Sequence, residues 1–287
     1  MYHINPVKFY GNPEINFHKK LWEKLLKKYE SITNIAKVFK LNIRQLYKWK
    51  ELKNNYPLIV LINLAKDVNL AFKLEYIKTR RFSDIIKNPK LGFHESCQLI
   101  EFFGHLLHDG GIDKQYGVHY TTHSKKLADR FENLVKCCFG EMNVERKEYK
   151  NKTTLYYPVV LGYILNGTFK IHKGSKVKND IGIPSFIKNS SKEKKWLYII
   201  TSYVCDGINK RVAITASSNS IYEPPQLLKD IKYMLNMLGI NSVVIKESYA
   251  YKTKKEEEHK AWILRIIDRK EKIIFNKYLR KYGNFCG

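Results

Sequence analysis

Apolar residues recur at helical spacing in the first part of the chain. In residues 17–29, leucines and aromatics form one stripe opposite a lysine-rich face, which predicts an amphipathic helix. Two shorter stretches of the same kind meet at Leu41 and Asn42, where Asn42 is placed to cap the second helix. A further helix is expected after Pro57, because proline is tolerated at a first helical position.

The second short helix is expected to expose a basic and polar face. Its members are Arg44, Gln45, Tyr47, Lys48 and Lys50, and Arg44, Gln45, Lys48 and Lys50 are the candidate DNA contacts. A pair of short helices with such a face resembles a helix-turn-helix module, so we predict that residues 42–50 form a recognition helix that contacts DNA. The alternative is a plain helical bundle whose lysines are only solvated. Residues 69–92 are expected to form a basic, partly helical linker.

An internal repeat occupies the rest of the chain. Two apolar runs, residues 99–110 and 196–207, both end in Asp-Gly, and glycine is favoured just past the last turn of a helix. A short strand containing threonine follows each run, at residues 118–122 and 212–215. Two such copies indicate a duplicated structural unit.

The downstream elements match as well. An amphipathic helix ends at Gly140 in the first copy and at Gly239 in the second. Strand pairs and closing helices are then expected at residues 143–149, 153–159 and 160–165, and at residues 242–251, 260–267 and 270–282. We therefore predict an α+β fold of two pseudo-symmetric αββαββα repeats, preceded by a small all-α helix-turn-helix domain. The predicted domains are residues 1–92, 93–187 and 188–287.

The charge of the chain indicates a polyanionic partner. Its 52 lysines and arginines against 27 aspartates and glutamates give a formal net charge of +25. Nucleic acid is the expected partner, because each phosphate neutralised by a basic side chain releases counterions. Lysine-rich composition can also reflect an AT-rich gene, and charge alone does not separate a DNA-binding protein from an enzyme.

Cysteine usage and hydropathy bear on the cellular compartment. The five cysteines are odd in number and form no C-x-x-C pair, which favours a reducing compartment over a disulfide framework. The start of the chain does not have the pattern of a signal peptide. The longest uncharged stretch, residues 153–169, falls short of the roughly 20 apolar residues that a membrane span needs. We expect a soluble, cytoplasmic, nucleoid-associated protein with no membrane partner.

The two Asp-Gly motifs resemble those of a known family. They are the segments Phe102–Gly110 and Ile199–Gly207, and between them Lys173-Gly-Ser-Lys176 is followed by Ile183-Pro184. This pattern is similar to the LAGLIDADG homing endonucleases in their single-chain, two-repeat form, over roughly residues 95–283. The resemblance implies an intron-encoded, monomeric, site-specific endonuclease that cuts double-stranded DNA, here with an added N-terminal module.

The resemblance also implies a catalytic pair of acids. The motif helices would deliver Asp109 and Asp206 side by side at their C-terminal ends. Two carboxylates there repel each other and the helix dipole, and a divalent ion relieves that repulsion. The implied cofactor is Mg²⁺ or Mn²⁺, held by Asp109 and Asp206 together with Gly110 and Gly207.

Further residues are expected to assist cleavage or contact DNA. A basic helper residue is implied, and the candidates are Lys147, Lys246 and Lys254. Polar and basic residues on the DNA-facing strands fit contacts to base edges and phosphates. The candidates are His119, Thr121, Lys210, Arg211, Thr215, Ser217 and Asn219.

Some motif positions depart from the family pattern. His108 stands where a small residue normally packs, so either the helix crossing is looser or His108 pairs across to Cys205. Thr201 replaces the glycine of the second motif, opposite Gly104 of the first. These departures leave two alternatives open. One is a non-catalytic DNA-binding regulator, and the other is a maturase that binds intron RNA.

Overall fold

A computed structural model of the protein describes residues 2–3, 9–80, 82–208, 212–218, 220, 222–252 and 258–283. The chain divides into two units. The N-terminal unit contains His3–Leu91 together with Phe139–Asn143, and the C-terminal unit contains Met1–Tyr2, Gly92–Cys138 and Val144–Gly287. Among the described residues, no helix combines the length and the apolar character that a membrane span requires.

The N-terminal unit combines helices with an antiparallel sheet. After the short strand β1 (Tyr2–His3), its elements are β2 (Phe9–Pro13), α1 (Ile15–Tyr29), α2 (Ile32–Phe39), α3 (Ile43–Lys50), β3 (Tyr56–Pro57), α4 (Leu58–Asp67), β4 (Leu74–Thr79) and β5 (Ile85–Lys87). Within the described residues, the sheet has the strand order β3-β2-β4-β5. Each neighbouring pair of strands is antiparallel.

The prediction of an all-α N-terminal domain is wrong, and so is the predicted helical linker at residues 69–92. Buried and more exposed positions alternate along β4, with Ile77 and Thr79 facing the core. This period of two is typical of a strand that is covered on one face. β4 pairs with β2, which lies near the other end of the unit's sequence. This long-range pairing is not visible in the sequence of the segment itself, whose basic composition indicated a linker instead.

An apolar core holds the helices of the N-terminal unit together. Leu21, Leu25, Ile35, Leu46 and Leu61 are all inaccessible to solvent within it. Each belongs to the apolar stripe of its helix, so burial of that stripe, rather than intrinsic helix propensity, stabilises these short helices. The packing leaves the polar side of α3 on the surface.

Local capping fixes where α3 begins. The Oδ1 atom of Asn42 accepts hydrogen bonds from the backbone N–H groups of Arg44 at 2.9 Å and Gln45 at 3.3 Å. The predicted cap is therefore confirmed, and a cap of this kind typically stabilises a helix by about 1 kcal/mol. The helix-turn-helix assignment of α2 and α3 stays a prediction.

In its described residues, the C-terminal unit contains a four-stranded and a three-stranded sheet and the two Asp-Gly helices. Its elements begin with β6 (Gly92–Phe93), α5 (Cys97–His108), β7 (Gly110–Ile112), β8 (Val118–Thr122), α6 (Lys125–Phe139), β9 (Glu145–Tyr149), β10 (Lys152–Tyr157) and α7 (Val159–Phe169). They continue with α8 (Lys176–Asn179), α9 (Ser185–Lys188), α10 (Lys192–Asp206), β11 (Ala213–Ser218), α11 (Gln226–Met237), β12 (Val243–Lys252), β13 (Glu258–Ile266) and α12 (Arg269–Tyr282).

The two halves of the C-terminal unit have related element orders. From α5 to α7 the order is αββαββα, and the described sheet has the strand order β7-β8-β10-β9. From α10 to α12 the described order is αβαββα, with the sheet order β11-β13-β12. An isolated bridge between Gly207 and Ile214 lies where the first half pairs Gly110 with Tyr120. A two-fold relation between the halves stays a prediction.

Helices α5 and α10 pack closely where Gly104 meets Thr201. A β-carbon added to Gly104 would lie 2.7 Å from the Cβ and Cγ2 atoms of Thr201, so the expectation that these positions face each other is confirmed. The buried hydroxyls beside them are satisfied within α10. Thr201 donates to the carbonyl of Leu197 at 2.9 Å, and Ser202 donates to that of Tyr198 at 2.9 Å.

Replacing Gly104 by Ala should destabilise the C-terminal unit. The added methyl group overpacks the crossing, and overpacking typically costs about 1–3 kcal/mol. The matched control is Gly167→Ala on α7, where no heavy atom lies within 4 Å of the added carbon. The control should gain stability, since alanine favours a helix over glycine by roughly 1 kcal/mol. Calorimetric unfolding measures both, and a gain in both variants would contradict the close approach.

Candidate active site

The two acids of the Asp-Gly motifs lie at the ends of the packed helices α5 and α10. Asp109 follows the last residue of α5, and its N–H donates to the carbonyl of His105 at 3.0 Å. Asp206 is the last residue of α10. Neighbouring strands hold the backbone of both acids. The carbonyl of Asp109 accepts from the N–H of Thr121 at 3.1 Å, and that of Asp206 accepts from the Thr215 hydroxyl at 3.2 Å.

The two carboxylates lie in each other's electrostatic field. Burial raises the pKa of Asp109 above its usual range, and the charge of Asp206 raises it further. His108, a hydrogen bond from Cys205 and Lys176 act in the opposite direction. The structure therefore brings together the predicted pair of acids, in a setting where cationic groups offset their repulsion.

His108 pairs with Asp206. Its Nδ1 atom lies 2.6 Å from Oδ2 of Asp206, and the imidazole is fully buried whereas the carboxylate is 31% exposed. Of the two alternatives for His108, its pairing with Cys205 is wrong, because the crossing of α5 and α10 places Cys205 beside His105 instead. The Sγ atom of Cys205 lies 3.4 Å from Nδ1 of His105.

Lys176 binds the C-terminal end of α5. Its ammonium group donates to the carbonyl of Leu107 at 3.1 Å and also to the carbonyl of His108. Burial lowers the pKa of Lys176, while Asp206 and Asp109 partly oppose that shift. The cation thus offsets both the negative end of the helix dipole and the two carboxylates.

Lys176 was not among the predicted site residues. The backbone before α8 turns through Gly174, which has φ +90° and donates its N–H to the carbonyl of Ile112 at 2.7 Å. Glycine adopts this left-handed conformation without the penalty of a β-carbon. The Lys173-Gly-Ser-Lys176 segment was the only sign of this arrangement in the sequence, and it gave no indication of which lysine would reach α5.

A cavity of about 300 Å³ opens beside the paired acids. Its lining includes His108, Lys176 and Asp206, together with the predicted DNA contacts Thr215 and Ser217 on β11. Both β11 residues are half-buried. Thr215 and Ser217 therefore share one recess with Asp206, whereas Asp109 is not among the residues that line it.

The first sheet presents a mixed polar, aromatic and basic face. The predicted residues His119 and Thr121 lie on it, and Thr121 hydrogen-bonds to Thr154 at 3.1 Å. Burial, and then the charge of Lys176, lower the pKa of His119. Lys147 on β9 lies opposite Thr154, and its ammonium is 4.9 Å from the ring centre of Tyr156.

The other predicted residues are spread over the molecule. Lys147 is exposed and pairs with Glu145 at 3.3 Å, and Lys246 is exposed on β12. Gly110 is buried in β7, whereas Gly207 ends α10 and donates to the carbonyl of Tyr203 at 2.8 Å. Four predicted residues lie outside the described part of the chain: Lys210, Arg211, Asn219 and Lys254. The role of Lys147, Lys246 or Lys254 as helper stays a prediction.

The predicted recognition helix is in the N-terminal unit. The side chains of Arg44, Lys48 and Lys50 are exposed on α3, and Gln45 is half-buried. The apolar side of α3 is inserted into the core through Leu46 and Trp49. The four predicted DNA contacts therefore lie on one helix, and the opposite, apolar side of that helix is packed into the core.

The donor set at the paired acids fits a hard divalent cation. Among the described residues, His, Cys, Asp and Glu form no group of three or more that could hold a metal ion, so that part of the chain offers no zinc site made of protein ligands alone. Mg²⁺ differs, because it binds through one or two carboxylates while keeping waters or taking phosphates from a substrate. Asp109 and Asp206 supply that pair of carboxylates.

Comparison with known proteins gives matches among solved structures only. No protein-family model matches the chain, and no curated protein matches it. Mesophilic variants of the homing endonuclease I-DmoI share 16% identity over 65% of this chain and 97% of theirs, with a TM-score of 0.42. I-DmoI with DNA and Mn shares 14% identity over 65% of this chain and 98% of that chain, with a TM-score of 0.39. I-DmoI with DNA and Ca shares 14% identity over 65% of this chain and 91% of that chain, with a TM-score of 0.39.

Proposed function

We propose that the chain is a divalent-metal-dependent endonuclease that cuts both strands of a DNA duplex at a specific site. One observation supports this above the others: Asp109 and Asp206 end two helices that pack against each other, and each carboxylate lies in the field of the other. Two partly buried carboxylates held together in this way are costly in the absence of cations. Metal-dependent hydrolysis of a phosphodiester would explain why the chain keeps two carboxylates together despite this cost.

Asp109 and Asp206, with the backbone at Gly110 and Gly207, would hold the ion. When bound there, Mg²⁺ or Mn²⁺ would polarise the phosphate, activate water and stabilise the leaving oxygen. One acid from each motif serves one of the two strands, which accounts for a double-strand break. The chain's own part is to hold the two carboxylates near each other and in a fixed orientation.

His108 orients the carboxylate of Asp206. An ionised carboxylate only accepts hydrogen bonds, so Nδ1 of His108 donates to Oδ2 of Asp206 across their 2.6 Å contact. The imidazole has no exposed side-chain surface, so its position is fixed by packing. This hydrogen bond leaves the second oxygen of Asp206 for the ion.

The DNA would lie across the polar faces of the two sheets. His119, Thr121, Thr215 and Ser217 are placed for contacts with base edges and phosphates, and the recognition helix α3 adds a second point of attachment. A net charge of +25 makes binding strongly dependent on salt concentration, because the contacts to phosphates release counterions.

A cleavage screen tests the proposed function. Full-length protein is incubated with a library of randomised duplexes in Mg²⁺, and the cut ends are captured and sequenced. We expect a single long target with cuts on both strands, and no product in EDTA. Recovery of binding without any cutting in Mg²⁺ or Mn²⁺ would overturn the enzyme assignment and leave a DNA-binding regulator.

Lys176 should stabilise the paired acids in the absence of metal. Lys176→Ala removes two charge-assisted hydrogen bonds to carbonyls and the cation beside the acids, and is expected to lower the free energy of unfolding in EDTA by about 2–3 kcal/mol. Added Mg²⁺ should then raise the melting temperature of the variant more than that of the wild type, because the ion replaces the missing charge.

The matched control is Lys178→Ala, two residues away and exposed. It should change the melting temperature little, and its response to Mg²⁺ should equal that of the wild type. Thermal unfolding without Mg²⁺, and at Mg²⁺ concentrations raised in 10-fold steps, measures these differences. Equal Mg²⁺ responses in Lys176→Ala and Lys178→Ala would contradict the role of Lys176 beside the acids.

A further inference from the structure

A cavity in the N-terminal unit is lined by hydrogen-bond donors. It measures about 260 Å³ and is bordered by Tyr10, Gln45, Asn54, Asn55, Lys78 and Arg80. Among the described residues, the cavity lining includes two cations and three amides and has no carboxylate. Such a lining repels cations and is suited to a small anion.

The sheet and the helices both contribute to this cavity. Tyr10 on β2 lies directly opposite Lys78 on β4, and Arg80 follows β4. Gln45 comes from the first turn of α3, so the recognition helix forms part of the wall. Strand pairing thus fixes the two cations relative to the helix that is predicted to contact DNA.

The orientation of Asn55 supports an anion rather than a cation as ligand. The hydroxyl of Tyr76 donates to Oδ1 of Asn55 at 2.7 Å. Because the amide oxygen is used in this way, the NH₂ group of Asn55 is left as a donor. The nearest acidic residue on β4, Glu75, accepts a hydrogen bond from Asn12 at 2.8 Å and does not line the cavity.

We infer that this cavity binds a phosphate of the DNA backbone beside the recognition helix. The inference deepens the proposed function and rests on it, since the ligand is a phosphodiester of the same duplex. Lys78 and Arg80 neutralise the phosphate, and the NH₂ groups of Gln45, Asn54 and Asn55 donate hydrogen bonds to its oxygens. A contact of this kind fixes the register of the helix on the duplex without reading sequence.

Two variants remove the site by different means. Lys78→Ala/Arg80→Ala deletes both cations. Asn55→Asp keeps the acceptor for Tyr76, so the fold is preserved, but replaces a donor by a negative charge that faces the phosphate. The matched control is Lys19→Ala/Lys20→Ala, which deletes two exposed cations from α1 and leaves the cavity intact.

Binding of a random-sequence duplex in EDTA, where no cutting occurs, is the measurement, repeated across salt concentrations. The two cavity variants should bind roughly tenfold more weakly, and the slope of log K against log salt should fall by about 0.9 for the one phosphate lost. The control should retain the affinity and slope of the wild type. Cavity variants that behave as the control does would overturn the inference.

A second arm separates the DNA backbone from a free phosphate ligand. Inorganic phosphate is titrated against wild type and Asn55→Asp, and the melting temperature is followed. We expect a weak response, since a single phosphate lacks the other contacts of the duplex. Saturable stabilisation by inorganic phosphate, with duplex binding unaltered in Asn55→Asp, would assign the cavity to a small phosphate ligand and overturn the inference. Because this experiment needs no cleavage, its outcome is independent of the cleavage screen.

Discussion

Asp109→Asn and Asp206→Asn are each expected to reduce Mg²⁺-dependent cleavage by about 10²–10³-fold, the typical cost of losing one preorganised charge in an active site. Asparagine preserves the size of the side chain and removes the charge that a divalent ion needs. Duplex binding should stay the same or become slightly tighter, because one negative charge near the phosphates is gone. Cleavage and binding are measured on the target that the library screen identifies.

The control for these two variants is a carboxylate elsewhere in the C-terminal unit. Asp129 on α6 is half exposed and pairs with Arg146 at 2.6 Å, so Asp129→Asn should cut at the rate of the wild type. The single variants should also separate the two strands, with nicked product accumulating before any double-strand break. Full cutting by both Asp109→Asn and Asp206→Asn would show that other residues hold the ion.

Arg130→Ala is expected to lower the free energy of unfolding by about 3–5 kcal/mol, the usual cost of leaving a buried charge without its partner. Two nitrogens of Arg130 donate to the two oxygens of Glu101, at 2.7 and 2.6 Å. The carboxylate of Glu101 is only 3% exposed. His105 lies near it, but burial lowers the pKa of His105 to about 3, so its imidazole is neutral and does not replace the arginine.

A double variant tests whether the stability lost in Arg130→Ala arises from the unpaired charge of Glu101. Glu101→Gln/Arg130→Ala removes both charges and should recover part of the stability lost in Arg130→Ala. The exposed pair of Lys28 and Asp67, at 2.9 Å, is the comparison, and Lys28→Ala should cost far less stability than Arg130→Ala, because solvent screens an exposed ion pair. Calorimetry of the full chain measures all three, and equal losses for Arg130→Ala and Lys28→Ala would contradict this account.

Local patterns predicted the elements that depend on local interactions. The amphipathic stripes placed α1 to α3, Asn42 placed the start of α3, and the threonine-containing segment placed β8 at residues 118–122. The Asp-Gly ends of the apolar runs placed the ends of α5 and α10. In each of these elements, the residues that determine the structure lie within a few positions of one another.

Non-local contacts account for what the sequence did not reveal. The N-terminal sheet pairs β4 with β2, and the residue types along β4, Leu74–Thr79, do not alternate between apolar and polar in the way that their burial does. The contact of His108 with Asp206 depends on how α5 crosses α10. Lys176 reaches the carbonyls of α5 only because the chain turns at Gly174. The order of residue types along the chain does not reveal these long-range contacts.

The most direct test of the central claim is to locate Mn²⁺ by anomalous diffraction in crystals of the full chain bound to its target duplex. We predict an anomalous peak within coordination distance of the carboxylates of both Asp109 and Asp206, and its loss in the Asp109→Asn/Asp206→Asn double variant. Crystals in which the duplex is cut while Mn²⁺ is bound away from both carboxylates would contradict the account.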